Sequence, residues 1–66
     1  MQVKINGELR ELAAPLTVAA YLESLGLEPE RVVIEHNHAI LSRADFAKAP
    51  LGDGDQLEII QFVGGG

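Results

Sequence analysis

Few side chains of this sequence have the types and spacing that catalysis or metal binding requires. The chain contains no cysteine, which excludes a disulfide framework, a thiolate metal site and a catalytic thiol. Its two histidines, His36 and His38, are two residues apart at an expected turn and lack the further ligands of a metal site. The remaining residues do not offer a nucleophile with a base and an orienting group. We therefore expect neither a catalytic side chain nor a metal site.

The glycine-rich segment GDGD, at residues 52–55, resembles two ligand-binding motifs without meeting the requirements of either. A calcium-binding loop counted from Asp53 needs a glutamate at its twelfth position, where this chain has Gly64. A dinucleotide-binding motif must open a helix, and the two glycines of this segment do not. The segment is therefore predicted to be a turn.

The end of the sequence, FVGGG at residues 62–66, changes abruptly from apolar side chains to three glycines. On composition alone, a glycine-rich end is typical of a frayed terminus. The abrupt change favours a function instead, because glycine lets backbone pass close to another surface. Three extended residues span about 10 Å, enough to reach from a globular face into a neighbouring active site. We therefore predict a single folded domain at residues 1–63 and a flexible tail of Gly64, Gly65 and Gly66.

The body of the protein must supply the affinity for any partner, because ordering each tail residue costs about 1–2 kcal/mol of backbone entropy. Alternation along the last predicted strand places Leu57 and Ile59 on one face and Glu58, Ile60 and Phe62 on the other. Isolated exposed apolar side chains are common on proteins. A pair of them beside a reaching tail indicates an interaction site. We predict that Glu58, Ile60 and Phe62 form a partner-binding patch.

The elements that must position these residues begin with a β-hairpin. Residues 1–5 alternate between apolar and polar side chains, as a half-buried strand does. Asn6 and Gly7 follow, a dipeptide typical of a two-residue hairpin turn in which both residues have positive φ. Residues 8–12 form the return strand, which we expect at an edge of the sheet because its alternation is imperfect.

A helix is predicted to start at Thr17, whose hydroxyl can accept a hydrogen bond from a free backbone N–H. Gly26 is expected to end it in the left-handed conformation. Its apolar stripe is predicted to consist of residues at helical spacing, namely Val18, Tyr21, Leu22 and Leu25. The helix therefore has two to three turns and lies over the sheet.

The remaining elements complete an α+β fold. Strands are predicted at residues 31–36, 39–41 and 56–63, with a tight turn at Asn37 and His38, a short helical turn at 42–45 and Phe46 in the core. This order is that of a β-grasp (ubiquitin-like) fold: a mixed sheet of four to five strands with one helix packed across it. The first and last strands run parallel at the sheet centre, because the helix crosses between them. The tail then projects from an edge of the sheet.

Composition and charge narrow the classes of function. A chain of 66 residues forms one small domain. Its net charge is −5, and its five basic residues are scattered, which argues against nucleic-acid binding. The N-terminus has no signal-like apolar region and no apolar run could span a bilayer, so we expect a cytoplasmic protein without membrane contact. The acidity fits a basic protein partner or serves solubility alone.

The whole chain resembles the ThiS family, the ubiquitin-like sulfur carriers of thiamin biosynthesis. The resemblance rests on the hairpin turn at Asn6, the helix opening at Thr17, the segment EHNHAILSR at 35–43 and the ending GDGDQLEIIQFVGGG at 52–66. The diglycine that ends a β-grasp chain of this length is the most specific of these features. Asn37 and His38 differ from the NG or NK of many members, at a turn remote from the tail.

The resemblance implies a chemical role for the Gly66 carboxylate. An ATP-dependent adenylating enzyme, related to ubiquitin-activating enzymes, converts such a carboxylate to an acyl adenylate. Sulfur from a persulfide donor then displaces AMP and leaves a thiocarboxylate, which passes its sulfur to thiazole synthase. The chain would thus be a recyclable co-substrate and not an enzyme. It would bind no cofactor itself, since the partner enzyme uses the ATP and the sulfur donor.

Other functions remain open on the sequence. The chain could be a sulfur carrier for molybdopterin or another thiolation pathway, although carriers of the molybdopterin type are usually longer. It could be a ubiquitin-like modifier whose tail is joined to lysines of other proteins. It could also be a non-covalent adaptor in which the tail has no role.

Overall fold

The computed structural model describes residues 1–62 and contains five strands, one α-helix and two 3-10 helices within that range. The strands are β1 (Gln2–Ile5), β2 (Glu8–Glu11), β3 (Val32–His36), β4 (Ala39–Leu41) and β5 (Gln56–Gln61), and the helix is α1 (Val18–Ser24). The 3-10 helices are Pro29–Arg31 and Arg43–Lys48. The predicted boundary between body and tail, after Val63, lies outside the described residues.

The strands form one mixed sheet in the order β2-β1-β5-β3-β4. β1 and β5 are parallel, whereas β1–β2, β3–β4 and β3–β5 are antiparallel. The prediction of a β-grasp sheet, with its first and last strands side by side and β2 at an edge, is confirmed. β5 is the central strand, so the chain leaves the sheet at the end of its middle strand and not along a lateral edge.

Both predicted tight turns are present, and all four of their residues have positive φ. Asn6 and Gly7, between β1 and β2, have φ of 49° and 82°. Asn37 and His38, between β3 and β4, have φ of 52° and 70°. Positive φ at both residues gives a two-residue turn a backbone twist that matches the twist of the two strands it joins.

The helix starts where its sequence predicts, because the Thr17 hydroxyl accepts a hydrogen bond from the Ala20 N–H at 3.1 Å. It has seven residues, and Gly26 follows it with a φ of 73°. The Gly26 N–H donates to the Glu23 carbonyl, and the Leu27 N–H donates to the Leu22 carbonyl. These two bonds form a Schellman motif, which satisfies carbonyls of the last helical turn.

The assignment of Leu25 to the buried stripe is wrong, since its exposed fraction is 49%. Val18, Tyr21 and Leu22 are buried as predicted. Leu25 is the C-cap residue, where the chain leaves the helical path. The Schellman motif turns Leu27 back toward the core in its place.

The core lies between α1, the sheet and the segment that follows β4. Its buried apolar residues are Val3, Ile5, Val18, Tyr21, Leu22, Val32, Ile34, Phe46, Leu51 and Leu57. The helical turn predicted at residues 42–45 is the longer 3-10 helix Arg43–Lys48, and it carries the buried Phe46 as expected. Within residues 1–62, no helix has the length and apolar character needed to cross a membrane.

Candidate partner-binding site on the open face of the sheet

The two faces of β5 differ as the alternation of its sequence predicts. Leu57 is fully buried, and Ile59 packs against the core beneath α1. Ile60 and Phe62 are 49% and 54% exposed, and Glu58 is exposed with them on the face away from the helix. Gly64, Gly65 and Gly66, the predicted tail and reaction site, lie outside the described residues, as does Val63.

The register of the sheet adds residues to this exposed face. Residues opposite each other in a ladder share a face, so Val33 joins Ile60 and Glu35 joins Glu58. Ile40, from β4, lies opposite Glu35 on its other side and is 69% exposed. We call this set the open-face patch: Val33, Glu35, Ile40, Glu58, Ile60 and Phe62.

Sequence reasoning identified half of the open-face patch and missed Val33, Glu35 and Ile40. Alternation within β3 and β4 could have placed these residues on one face of each strand. The neighbours that they meet depend on which strands pair and in which register, and no local pattern carries that information.

The backbone of β5 is held as far as Phe62 on one side and as far as Ile59 on the other. On one side, the Phe62 N–H donates to the Arg31 carbonyl at 2.9 Å. On the other side, β1 pairs with β5 only at Lys4 and Ile5 before the chain turns away. Beyond that point the Asn6 side chain replaces the backbone of β1 as the hydrogen-bonding partner of β5. Its Oδ1 accepts from the Ile59 N–H at 2.7 Å, and its Nδ2 donates to the Ile59 carbonyl at 3.3 Å. The hairpin turn therefore also positions the end of β5.

The other end of β5 is fixed by a polar cluster around Asp55. His36 Nε2 and Asp55 Oδ2 are 2.8 Å apart, and each side chain is 19% exposed. The Gly52 N–H also donates to Oδ2 at 2.8 Å, and Asn37 Nδ2 donates to Oδ1 at 3.2 Å. Asn37 Oδ1 accepts from the Gln56 N–H at 2.8 Å. The cluster thus joins the β3–β4 turn to the loop that leads into β5.

The pKa of Asp55 is lowered by this environment. Burial raises the pKa of the carboxyl group, but the hydrogen bonds from His36, Gly52 and Asn37, with the charge of His36, outweigh it. The GDGD segment is therefore a turn stabilised by its last carboxylate. Among residues 1–62, no group of three or more His, Asp, Glu or Cys is arranged to hold a metal ion, and His36 instead bonds to Asp55.

Known proteins resemble this chain over its whole length. A model of the ThiS family matches residues 3–66. The sulfur carrier protein ThiS of Escherichia coli is 32% identical over 66 residues, which cover all of both chains. The crystal structure of a thiamine biosynthesis protein (ThiS) from Geobacter metallireducens superposes with a TM-score of 0.84 at 33% identity and full coverage of both chains.

A thiazole synthase of Paramagnetospirillum magneticum is 42% identical to this chain over 66 residues. That match covers all of this chain but 20% of the relative. The chain thus spans about a fifth of the length of this relative, which contains a region similar to the whole of residues 1–66.

Proposed function

The chain belongs to the ThiS family, and we propose that it is a sulfur carrier protein that donates sulfur for thiazole formation in thiamin biosynthesis. The observation that carries the proposal is the match of the ThiS family model to residues 3–66, which include both the folded body and the three glycines. A relative named sulfur carrier protein ThiS matches over its full length, which supports the same function.

The reacting group in this proposal is the carboxylate of Gly66. Its leaving group in a direct substitution would be oxide, so the carboxylate must first be activated. The carboxylate oxygen attacks the α-phosphorus of ATP and displaces pyrophosphate, which gives an acyl adenylate. The terminal sulfur of a persulfide then attacks the acyl carbon and displaces AMP. A thiol cleaves the sulfur–sulfur bond of that product, which leaves a thiocarboxylate on Gly66 and a disulfide on the donor.

The chain takes part in these steps as a co-substrate. The adenylating enzyme supplies the ATP site, and the persulfide donor supplies the sulfur. The folded body of the carrier has two tasks, namely to bind its partners and to hold the start of the tail in a fixed direction. The hydrogen bonds of Ile59 and Phe62 support the second task, since they tie the end of β5 to Asn6 on one side and to Arg31 on the other. The exposed apolar side chains of Ile60 and Phe62 support the first.

The acceptor of the sulfur in this proposal is a thiazole synthase. A relative with that name contains a region 42% identical to this chain. The presence of a carrier-like region within such a protein supports an association between the two activities. The thiocarboxylate returns to a carboxylate after transfer, so one carrier molecule serves many cycles.

Intact mass spectrometry tests the proposal directly. The protein is incubated with ATP, a persulfide donor and the adenylating enzyme, and its mass is compared with that of a sample without ATP. We expect one oxygen to be replaced by sulfur, and fragmentation should place the sulfur on Gly66. A sulfur on another residue, or an adduct that forms equally without ATP, would overturn the proposal.

A further inference from the structure

The Asn6 side chain makes the hydrogen bonds that the backbone of β1 would make if that strand continued beside β5. The Asn6 N–H, directly after β1, donates to the Leu57 carbonyl at 2.9 Å. Alternate residues of a strand direct their backbone groups to the same side, so the next groups of β5 on this side belong to Ile59. Asn6 Oδ1 accepts from the Ile59 N–H, and Nδ2 donates to the Ile59 carbonyl. The carboxamide thus extends the ladder by one step.

The turn conformation does not by itself require this side chain. Asn6 has a φ of 49°, which glycine and aspartate also adopt in two-residue hairpin turns. An amide adds an acceptor and a donor on neighbouring atoms, whereas an ionised carboxylate offers acceptors alone. The bonds to both backbone groups of Ile59 therefore depend on asparagine and not on the turn.

The end of β5 sets where the glycine tail begins. On the β3 side, Gln61 lies opposite Val32, and the Phe62 N–H donates to the Arg31 carbonyl. Four residues follow Phe62, and three of them are glycines. Glycine has no side chain that could fix a direction. The origin and the initial direction of the tail must therefore come from the last residues of β5.

We propose that Asn6 is a positioning residue for the reaction at the Gly66 carboxylate, an assignment that rests on the proposed function. By holding Ile59, Asn6 keeps the end of β5 in place on its β1 side. The tail then starts from a fixed point, and the carboxylate meets the adenylating site at a higher effective concentration than a longer free segment would give. Both bonds of Asn6 are exposed, so water can replace them and the body should fold without them.

The variant Asn6→Gly separates the side chain from the turn, because glycine keeps the positive φ and loses both bonds to Ile59. Asn37→Gly is the matched control. Asn37 is the first residue of the other two-residue turn, with a φ of 52°, and its side chain bonds to Asp55 and Gln56 before and at the start of β5. The two substitutions thus remove comparable bonds at opposite ends of the same strand.

Three measurements are made on both variants and on the unchanged protein. Amide hydrogen exchange of the free proteins reports how often the Ile59 N–H opens. Single-turnover release of pyrophosphate, with ATP and the adenylating enzyme in excess, gives the rate constant of adenylate formation. Calorimetry gives the Kd for the adenylating enzyme.

We expect Asn6→Gly to exchange faster at Ile59 and to form the adenylate more slowly, with an unchanged Kd. A free segment that grows from the four residues after Phe62 to the seven after Ile59 lowers the effective concentration about twofold. Displacement of a reacting group by about 1 Å can lower a rate by about a hundredfold. The rate constant should therefore fall by about twofold to a hundredfold, and Asn37→Gly should leave it unchanged.

Asn6→Asp provides a second variant of the same position. Aspartate tolerates the positive φ and keeps an oxygen that can accept from the Ile59 N–H. Its ionised carboxylate has no donor for the Ile59 carbonyl. We expect its rate constant to lie between those of Asn6→Gly and the unchanged protein.

Three outcomes would overturn the inference. One is an unchanged rate constant in Asn6→Gly, and another is an equal loss in Asn37→Gly, which would assign the effect to general stability. The third is a loss that appears only as a weaker Kd, because Asn6 would then contact the enzyme directly. Failure of the proposed function is a separate result, since the unchanged protein would then release no pyrophosphate with the adenylating enzyme, whatever the exchange rate at Ile59.

Discussion

Asp55 shows how one side chain can order a glycine-containing loop. Its carboxylate accepts hydrogen bonds from His36, Asn37 and the Gly52 N–H. These bonds hold the loop in place just before β5 begins, and they favour the ionised carboxylate. The pKa of Asp55 is lowered as a result, despite the opposing effect of burial.

The lowered pKa of Asp55 predicts a loss of stability in acid. A carboxyl group whose pKa is lower in the folded state contributes stability above its unfolded pKa, which is 3.8 for aspartate. That contribution is lost as the pH falls through the folded value. We expect Asp55→Asn to lower the free energy of unfolding by about 1–3 kcal/mol at neutral pH, the cost of disrupting partly buried hydrogen bonds to a charged group. The difference from the unchanged protein should shrink below the unfolded pKa.

Urea denaturation measures the free energy of unfolding of Asp55→Asn and of the unchanged protein, both at neutral pH and in acid. Glu23→Gln, a substitution at an exposed helix residue, controls for the loss of one negative charge. A constant difference between Asp55→Asn and the unchanged protein across this pH range would contradict the role given to the ionised carboxylate.

At the scale of the secondary structure element, β5 has one face in the core and one exposed face, which we propose binds a partner. Leu57 and Ile59 pack beneath α1, whereas Ile60 and Phe62 are exposed on the open side of the sheet. Because the side chains of a strand alternate, substitutions on one face should leave the other face intact. The two functions of this strand can therefore be tested independently.

We expect the double variant Ile60→Ser and Phe62→Ser to bind the adenylating enzyme about a hundredfold more weakly or worse. Burial of one such side chain contributes about 1.5–3 kcal/mol, and every 1.4 kcal/mol corresponds to a factor of about ten in Kd. The free variant should keep most of its stability, because both side chains already face solvent. Calorimetric titration and thermal melts provide the two measurements.

Leu57→Ala is the matched control on the opposite face. Leu57 is fully buried, and the cavity left by truncation of a buried leucine typically costs about 2–5 kcal/mol. That is a large share of the stability of a small domain. If Leu57→Ala were silent and the double serine variant unfolded, the roles assigned to the two faces would have to be exchanged.

The whole molecule is a small folded body with a candidate reaction site at its last residue. Among residues 1–62, the buried apolar core runs from Val3 to Leu57, nine residues before Gly66. The stability of the body and the position of the Gly66 carboxylate should thus be separable.

We expect deletion of Gly66 to leave the melting temperature almost unchanged and to abolish thiocarboxylate formation at the normal rate. The deletion brings the terminal carboxylate about 3 Å closer to the body, one residue of extended chain. At that distance the terminal carboxylate should not reach the site where the adenylating enzyme activates it. Single-turnover mass spectrometry measures the rate of thiocarboxylate formation. The Kd for the adenylating enzyme controls for binding through the open-face patch. Full activity of the shortened chain would show that reach is not the role of the third glycine.

The sequence by itself determined the elements that depend on short-range backbone chemistry. The turn at Asn6 and Gly7, the cap at Thr17 and the helix end at Gly26 each follow from what a few neighbouring atoms allow. The two faces of β5 follow equally from its alternation, since a strand has a period of two. The order of the elements predicted the parallel central strands, and the family resemblance pointed to the chemical role of Gly66.

The tertiary structure alone decided which residues from distant parts of the chain meet. Glu35 faces Glu58, and Ile40 extends the patch, because of the register of three strands. Asn6 was predicted as a turn residue, yet its side chain also bonds to Ile59, 53 residues away. Leu25 has helical spacing but is exposed, because the Schellman motif places Leu27 against the core. The pairing of Glu35 with Glu58 and the bonds between Asn6 and Ile59 depend on packing between segments that are far apart in sequence, and local preferences do not encode the registers and distances that such packing sets.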